Sequence, residues 1–224
     1  MTTLYLVRHG QASFTAANYD QLSELGYRQS AWLGEHFASR GITFSRAVCG
    51  TLERQRQTAR SVLDAMGSGQ AAVEHPGWNE YSGDALYRAY HGDGWAKERA
   101  KGDVREFYRT IKAALLDWSV EKLPGPLPET WREFGDRVSA AMRAACEGLP
   151  HDATVLAASS GGAISRGVAA ILQAPAQSAI ELNLQFRNSA YCEIFVSPRS
   201  MRLVSFNCIP HLERPDRQHA ITHS

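Results

Sequence analysis

The sequence predicts an α/β fold: a three-layer α/β/α sandwich whose sheet is mainly parallel, with an antiparallel edge and a helical insertion. Three observations support this prediction. Short apolar runs alternate along the chain with longer segments of helical periodicity. The whole chain, residues 1–224, suits a single domain with an insertion at about residues 84–148. The hydrophobic fraction of 44% and the charged fraction of 21% are those of a globular chain, not a disordered one.

The first half of the chain is expected to form two strands, each followed by a helix. The apolar run Leu4–Val7 predicts a buried strand that ends at a polar loop. A helix is expected over Ser23–Gly41, because serine is a good N-cap residue and apolar side chains follow it at helical spacing. Ala47–Cys49 predicts a second strand, and Thr51–Gly67 predicts a second helix with its threonine as the cap.

The second half is expected to hold the insertion and the rest of the sheet. Residues 84–148 are expected to be largely helical, with a Pro-Gly-Pro break in the middle. Thr154–Ala158 predicts another apolar strand, and Gly161–Leu172 predicts the helix after it. The late strands Tyr191–Val196 and Met201–Phe206, joined by a short turn, predict an antiparallel hairpin at the edge of the sheet.

Charge and composition argue against several functional classes. The net charge of +1 does not favour a nucleic-acid or membrane-surface partner. No apolar run reaches membrane-spanning length, and the first residues lack the pattern of a secretory signal, so we expect a cytoplasmic location. The four cysteines form no C-x-x-C pair, and no P-loop is present, so we expect neither a metal site nor a nucleotide site of that type.

Three short polar segments follow predicted strands: Arg8–Gly10, Gly50–Arg54 and Ser159–Gly162. Ligands of open parallel sheets bind beyond the carboxyl ends of the strands, so these segments are expected to converge on one site. Chemically, His9 can offer a ring nitrogen as a nucleophile towards phosphorus. Arg8 can hold phosphoryl oxygens, and the glycine after the histidine lets the backbone approach closely.

The segment Leu4–Gln11 resembles the signature of the histidine phosphatase superfamily, the phosphoglycerate-mutase-like proteins. Five further segments resemble motifs of that family in the same order along the chain. They are Asp20–Gly26 (D-x-L-[TS]-x-x-G), Leu52–Ala59 (L-x-R-x-x-Q-T-A), Trp78–Gly83 around the family's acid, Val155–Ile164 with its second catalytic strand and loop, and Asn207–Leu212 (N-x-x-x-H-L). Six motifs in order across nearly the whole chain make the resemblance specific.

The resemblance implies a role for each matching residue. His9 would be the nucleophile that becomes phosphorylated, and Arg8 and Arg54 would bind the phosphoryl group. Glu80 would be the general acid and base. The implied activity is metal-independent hydrolysis of phosphate monoesters through a phosphohistidine, without a cofactor. The expected partner is a small phosphorylated substrate or phosphate.

One position departs from the family pattern: Ser160 stands where the family has a second histidine. A serine hydroxyl can donate one hydrogen bond but carries no charge, and losing one preorganised donor typically slows a reaction by about 10²–10³. Ser160 is still expected in the phosphate pocket. The backbone amides of Gly161 and Gly162, or His91 from the insertion, could compensate. Restoring histidine at this position is expected to raise turnover if serine is only a weaker donor.

Other readings of the same sequence stay open. Ser160 favours a catalytically weak or inactive family member that binds a phosphorylated ligand or a protein partner. A phosphoglycerate mutase is less favoured, because the segment around Glu80 lacks the E-R-x-Y-G run of true mutases. Glu74 or Asp84 could take the place of Glu80 as the acid. Neither the natural substrate nor the oligomeric state follows from the sequence.

Overall fold

The computed structural model describes residues 1–13, 20–92 and 104–223, except for the side chains of Val104 and Phe107. Within these residues one six-stranded sheet has the order β3-β2-β4-β1-β5-β6. Its strands are β1 Thr2–Arg8, β2 Arg46–Cys49, β3 Val73–Glu74, β4 Thr154–Ser159, β5 Tyr191–Val196 and β6 Met201–Cys208. The first four strands pair in parallel, and β5 and β6 pair antiparallel at one edge. The predicted mixed sheet with an antiparallel edge is therefore confirmed.

Helices cover both faces of the sheet. The α-helices of the described residues are α1 Glu24–Ser39, α2 Glu53–Ala65, α3 Gly83–His91, α4 Val104–Ser119, α5 Trp131–Cys146, α6 Gly161–Ile171 and α7 Ala176–Gln185. Alternation along β1 sends Tyr5 and Val7 into a core with α1 and α2, whereas Leu4 and Leu6 face a core with α5 and α6. The three predicted layers follow from this two-residue period. No described helix combines the length and the apolar composition needed to cross a membrane.

The loops that follow the strands meet as predicted. The backbone N–H of His9, just beyond β1, donates to the carbonyl of Ser159 at the end of β4 (2.9 Å). On the other side of β4, the N–H of Gly50 donates to the carbonyl of Ala158 (3.2 Å). These two hydrogen bonds bring the ends of β1, β2 and β4 together at one edge.

The two predicted helix caps have different outcomes. Ser23 is the N-cap of α1, and its side chain accepts from the N–H of Gly26 (3.0 Å). The prediction for Thr51 is wrong, because α2 begins one residue later with Leu52 as its N-cap. The threonine is engaged elsewhere: its N–H donates to Oδ1 of Asn79 (2.7 Å), and its hydroxyl accepts from Nδ2 of the same side chain (2.8 Å).

The described part of the insertion is helical, as predicted, while residues 93–103 of it lie outside the described residues. A capping box starts α5, in which Thr130 and Glu133 exchange side-chain-to-backbone hydrogen bonds. Trp118 of α4 packs against Phe134 of α5 and against Tyr81, with ring centroids 5.6 and 5.7 Å apart. The insertion is thereby held against the segment that carries the candidate acid.

Candidate active site

A cavity of about 580 Å³ opens beyond the carboxyl ends of β1 and β2. It is lined by Arg8, His9, Ala12, Asp20, Leu52, Arg54, Glu80, Tyr81, Ser82, Gly83, Asp84, Tyr87, Tyr108, Ile111, Asn183, Leu184 and His223. Four of the five predicted site residues are among them. The fifth, Ser160, is not.

His9 is held by hydrogen bonds on its ring and on its backbone. Its side chain is buried, with 7% exposed, and Nδ1 lies 2.7 Å from the carbonyl oxygen of Gly10. Since a carbonyl only accepts, Nδ1 carries the proton and Nε2 keeps its lone pair. The backbone carbonyl of His9 accepts from the N–H of Ser189 (3.2 Å) and from Nδ2 of Asn188 (3.3 Å). The hydrogen bond from Nδ1 to Gly10 therefore fixes the imidazole as one tautomer.

The surroundings of His9 keep its ring neutral. Burial, reinforced by the positive charges of Arg54 and Arg8, lowers the pKa of this imidazole well below its usual value. The hydrogen bond to Gly10 opposes this shift only in part. A neutral imidazole keeps the lone pair that a nucleophile needs, and His9 is therefore in the neutral form at neutral pH.

Arg54 connects the ring of His9 to a carboxylate. Its Nε–H donates to Nε2 of His9 (3.2 Å), and its terminal nitrogen pairs with Oδ1 of Asp20 (2.5 Å). The other oxygen of Asp20 accepts from the N–H of Glu53 at the start of α2 (2.8 Å). Sequence reasoning placed Asp20 in a family motif but did not assign it to the site. The signal that could have found it is that motif, the D-x-L-[TS]-x-x-G segment.

Close backbone packing shapes the loop around His9. Arg8 donates a hydrogen bond to the carbonyl of Phe186, which anchors its guanidinium beside the cavity. The N–H of Gly10 donates to the hydroxyl of Thr58 on α2 (3.0 Å). A Cβ at Gly10 would lie 2.4 Å from the carbonyl oxygen of Gly26, so only glycine fits here. The loop is tied in this way to both α1 and α2.

Glu80 lies where its carboxyl group meets the start of α6. One oxygen accepts from the N–H of Gly162 (2.8 Å), and the other accepts from the N–H of Tyr81 (3.2 Å). Burial raises the pKa of Glu80, although both hydrogen bonds and the nearby arginines act against the rise. A Cβ at Gly162 would approach Oε1 of Glu80 to 2.3 Å, so glycine is required for this contact. Because the Gly162 amide is already bonded, it is not free to compensate for the missing histidine.

Of the alternative acids, only one lies at the cavity. Glu74 is exposed on β3, pairs with Arg56 (3.3 Å) and does not line the cavity. Asp84 lines the cavity and remains a candidate.

The sequence model of the histidine phosphatase superfamily (branch 1) matches residues 4–209. The chain belongs to this superfamily. The resemblance predicted from the six motifs is confirmed.

Similarity to individual proteins was found both in sequence and in structure. A probable phosphoglycerate mutase GpmB of Erwinia tasmaniensis is 28% identical over 200 residues, which are 87% of this chain and 85% of the relative. A phosphoserine phosphatase mutant from Entamoeba histolytica, solved with phosphoserine, has a TM-score of 0.67 at 17% identity and covers 95% of this chain and 100% of its own. A putative alpha-ribazole-5'-P phosphatase from Escherichia coli has a TM-score of 0.64 at 23% identity, covering 92% and 96%. These two structures share the fold of this chain.

Ser160 does not line the cavity of this superfamily member. It is fully buried, and its hydroxyl oxygen accepts from Nε2 of Gln55 (2.8 Å). Its predicted contact with a phosphate has no counterpart among the cavity-lining residues and stays a prediction, because a hydroxyl that accepts one hydrogen bond still has its own proton to donate. His91 does not line the cavity either; its ring packs against Tyr87, with centroids 4.6 Å apart.

The cavity wall beyond the charged residues is largely apolar and was not predicted. Leu52, Tyr87, Tyr108, Ile111 and Leu184 contribute to it. Tyr87 is both buried and at the cavity wall. His223 is exposed and also lines the cavity. The sequence does not predict that these residues form one wall, because they come together only when the insertion packs against α7.

Proposed function

We propose that this protein is a metal-independent phosphomonoester hydrolase that works through a phosphohistidine at His9. The observation that supports it most directly is the tautomer of His9, whose Nδ1–H is donated to Gly10 while its Nε2 lone pair is held at a cavity with two arginines. A doubly negative phosphate needs fixed cations, and phosphoryl transfer depends mainly on positioning and on charge stabilisation.

In the first step, Nε2 of His9 attacks phosphorus and forms the N–P bond while the bond from phosphorus to the ester oxygen breaks. Arg8 and Arg54 hold the phosphoryl oxygens through this transfer. Glu80 gives its proton to the departing oxygen, which leaves as an alcohol. The raised pKa of Glu80 suits this task, since it keeps more of the carboxyl group protonated near neutral pH.

In the second step, water replaces the alcohol. The Glu80 carboxylate left by the first step takes a proton from the water, whose oxygen attacks phosphorus and breaks the N–P bond. Inorganic phosphate leaves, and both His9 and Glu80 return to their starting protonation states. Neither step uses a cofactor.

The apolar wall supports a substrate class. With the phosphoryl group at Arg8 and Arg54, the leaving group would lie against Tyr87, Ile111 and Leu184. Burying apolar surface there favours esters of alcohols or phenols with apolar bodies.

Two other functions have an observation in their favour. The names of the curated relatives favour phosphoglycerate mutase. The uncharged Ser160 favours a weak or inactive protein that binds a phosphorylated ligand. A mutase would turn 3-phosphoglycerate into its isomer without releasing phosphate, whereas a binding protein would bind phosphate without turnover.

The test is hydrolysis of p-nitrophenyl phosphate between mildly acid and neutral pH, in the presence of a chelator, with His9→Ala as control. We expect turnover that the substitution abolishes, and an acid-labile phosphoprotein after rapid quenching of the wild type. Isomerisation of 3-phosphoglycerate without phosphate release would support the mutase instead. Phosphate binding by both proteins without turnover would support the binding protein.

A further inference from the structure

A buried glutamine lies beside the position where the family has its second histidine. The side chain of Gln55 is fully buried, and its Nε2 donates both to Oγ of Ser160 (2.8 Å) and to the carbonyl oxygen of Trp78 (3.1 Å). The carbonyl fixes the orientation of the amide, because a flipped amide would point its own oxygen at another oxygen. Ser160 therefore serves as an acceptor for Gln55.

The space for this amide depends on a glycine. A Cβ at Gly50 would lie 1.8 Å from Oε1 of Gln55, closer than any real contact allows. The same oxygen is buried and has no hydrogen-bond partner among the described residues, an arrangement that costs stability. A buried amide kept at such a cost is typical of groups that serve a site rather than the stability of the fold.

The amide also fills the volume that a larger residue at position 160 would need. A histidine carries an imidazole ring where serine carries one oxygen atom, and that oxygen already lies 2.8 Å from Gln55. Ser160 has no exposed surface into which the ring could turn without displacing a neighbour. The size of the side chain tolerated at position 160 therefore depends on the side chain at position 55, and the reverse is also true.

The second hydrogen bond of Gln55 reaches the segment that carries the acid. Trp78 precedes Glu80 by two residues, and its carbonyl also accepts from Oγ of Ser159 (2.6 Å). Gln55 follows Arg54 directly on α2. One amide thus connects the helix that bears a phosphate-binding arginine with the segment that bears the acid.

From these contacts we infer that Gln55 and Ser160 form one packed, hydrogen-bonded unit in the place of the family's second histidine. We also infer that Gln55 is a positioning residue for the Glu80 segment. The positioning role rests on the proposed function, since it takes Glu80 as the acid. The unit supplies no charge to the phosphoryl group, which leaves Arg8 and Arg54 as the cations of this part of the site. The earlier expectation for Ser160→His changes accordingly: alone it disrupts the packing, and it gains activity only when Gln55 is made smaller.

The coupling is tested by a double-mutant cycle on stability, which requires no activity. Thermal and urea unfolding are measured for the wild type, Gln55→Ala, Ser160→His and the double variant. We expect Ser160→His to lower the midpoint strongly and the added Gln55→Ala to recover part of the loss. If the loss of stability in the double variant equals the sum of the losses in the two single variants, Gln55 and Ser160 do not form a coupled unit. This outcome does not depend on whether the wild type hydrolyses phosphate esters.

The positioning role is tested with Gln55→Met, which keeps the volume but loses both hydrogen bonds, and with Gly50→Ala, whose Cβ would displace the Gln55 amide. That Cβ would also lie 2.7 Å from Oδ1 of Asn79, next to Glu80, so Gln55→Met is the deciding variant. For both variants we expect kcat for an alkyl phosphate to fall about tenfold, kcat for p-nitrophenyl phosphate to fall less, and KM to change little. The double variant Gln55→Ala, Ser160→His should exceed Gln55→Ala in turnover. Equal losses on both esters, or wild-type rates in Gln55→Met, would overturn the positioning role. If the wild type has no turnover dependent on His9, the proposed function fails together with this role, and the stability cycle alone decides the unit.

Discussion

The guanidinium of Arg54 donates from Nε to Nε2 of His9 across 3.2 Å. A cation therefore hydrogen-bonds to the lone pair that the proposed mechanism uses as the nucleophile. For the proposed mechanism to operate, an incoming phosphoryl group would have to draw this donor onto its own oxygens and so free the lone pair for attack on phosphorus. Asp20 pairs with a terminal nitrogen of the same guanidinium and so fixes that end of the side chain.

Arg54→Lys is predicted to lower kcat/KM by about 10²-fold, although the charge is retained. Lysine cannot reach Asp20 and the phosphoryl oxygens at once, because its single nitrogen lacks the fork of donors in arginine. The measurement is steady-state hydrolysis of an aryl phosphate. The matched control is Arg60→Lys, an exposed arginine on the same helix. A loss of less than about threefold in Arg54→Lys would show that position 54 needs only a positive charge.

Asp20→Asn tests how much the ion pair between Asp20 and Arg54 contributes when the charge of Arg54 is kept. The variant keeps Arg54 but weakens its ion pair, so we expect a smaller loss than in Arg54→Lys, mainly in kcat. Asp64→Asn, at an exposed position of α2, is the control. If Asp20→Asn were the more damaging variant, Asp20 would have a chemical role of its own beyond holding Arg54.

Glu80→Gln is predicted to slow hydrolysis of alkyl phosphates far more than hydrolysis of p-nitrophenyl phosphate, because only the poor leaving group needs the proton. The wild-type rate on alkyl esters should fall at higher pH as Glu80 ionises, and its raised pKa shifts this fall upward from the range of an ordinary glutamate. The fall at acid pH, from protonation of His9, should lie well below 6.5, because the pKa of His9 is lowered.

Two variants of the alternative acids accompany this experiment. Glu74→Gln should behave as wild type, since Glu74 is exposed and outside the cavity. Asp84 lines the cavity, so the variant Asp84→Asn tests whether Asp84 or Glu80 is the general acid. If Asp84→Asn lost the pH dependence while Glu80→Gln kept it, the role of the acid would move to Asp84.

The sequence predicted those parts of the site that depend on local pattern. The apolar run Leu4–Val7 predicts a buried strand, and the position of His9 just after it places the residue at a strand end. Gly10 was predicted to allow a close backbone approach, and a Cβ there would lie 2.4 Å from the carbonyl oxygen of Gly26. These features depend on residues that are close together in the sequence, so the sequence alone is enough to predict them.

What the sequence did not predict depends on partners distant along the chain. Gln55 and Ser160 are 105 residues apart, and nothing in either segment shows that the amide fills the space beside the serine. Thr51 has the composition of a helix cap, but its bond to Asn79 takes precedence over capping. Helix α7 lacks a side-chain cap and has few buried apolar residues, so its sequence carries little of the usual helix signal.

The apolar cavity wall predicts a dependence on chain length in straight alkyl phosphates. From ethyl to hexyl phosphate the leaving groups have similar basicity, so kcat/KM should rise about two- to fourfold for each CH₂ that becomes buried. Leu184→Ser should flatten this rise. Leu172→Ser is the matched control, since Leu172 is exposed and does not line the cavity. A flat series in the wild type would place the leaving group in solvent.

His211 predicts a loss of stability in mild acid. The imidazole is 2% exposed, its Nε2 lies 2.7 Å from the hydroxyl oxygen of Ser189, and burial with nearby His36 and Arg217 lowers its pKa to about 3. In the unfolded chain the same group takes up a proton near pH 6.5, so below that pH the unfolded state binds more protons than the folded state. Stability therefore falls as the pH drops from 7 to 5, and this one group accounts for about 2 kcal/mol of the fall.

The matched variant is His211→Asn, which cannot be protonated in either state. Its absolute stability is expected to be lower, because the ring and its contact with Ser189 are lost, so the informative quantity is the difference between the unfolding free energies at pH 7 and pH 5. Urea unfolding should give a difference smaller by about 2 kcal/mol in the variant than in the wild type. Equal differences in the two proteins would mean that His211 takes up its proton in the folded state as readily as in the unfolded chain, and that the buried contact with Ser189 does not hold it neutral.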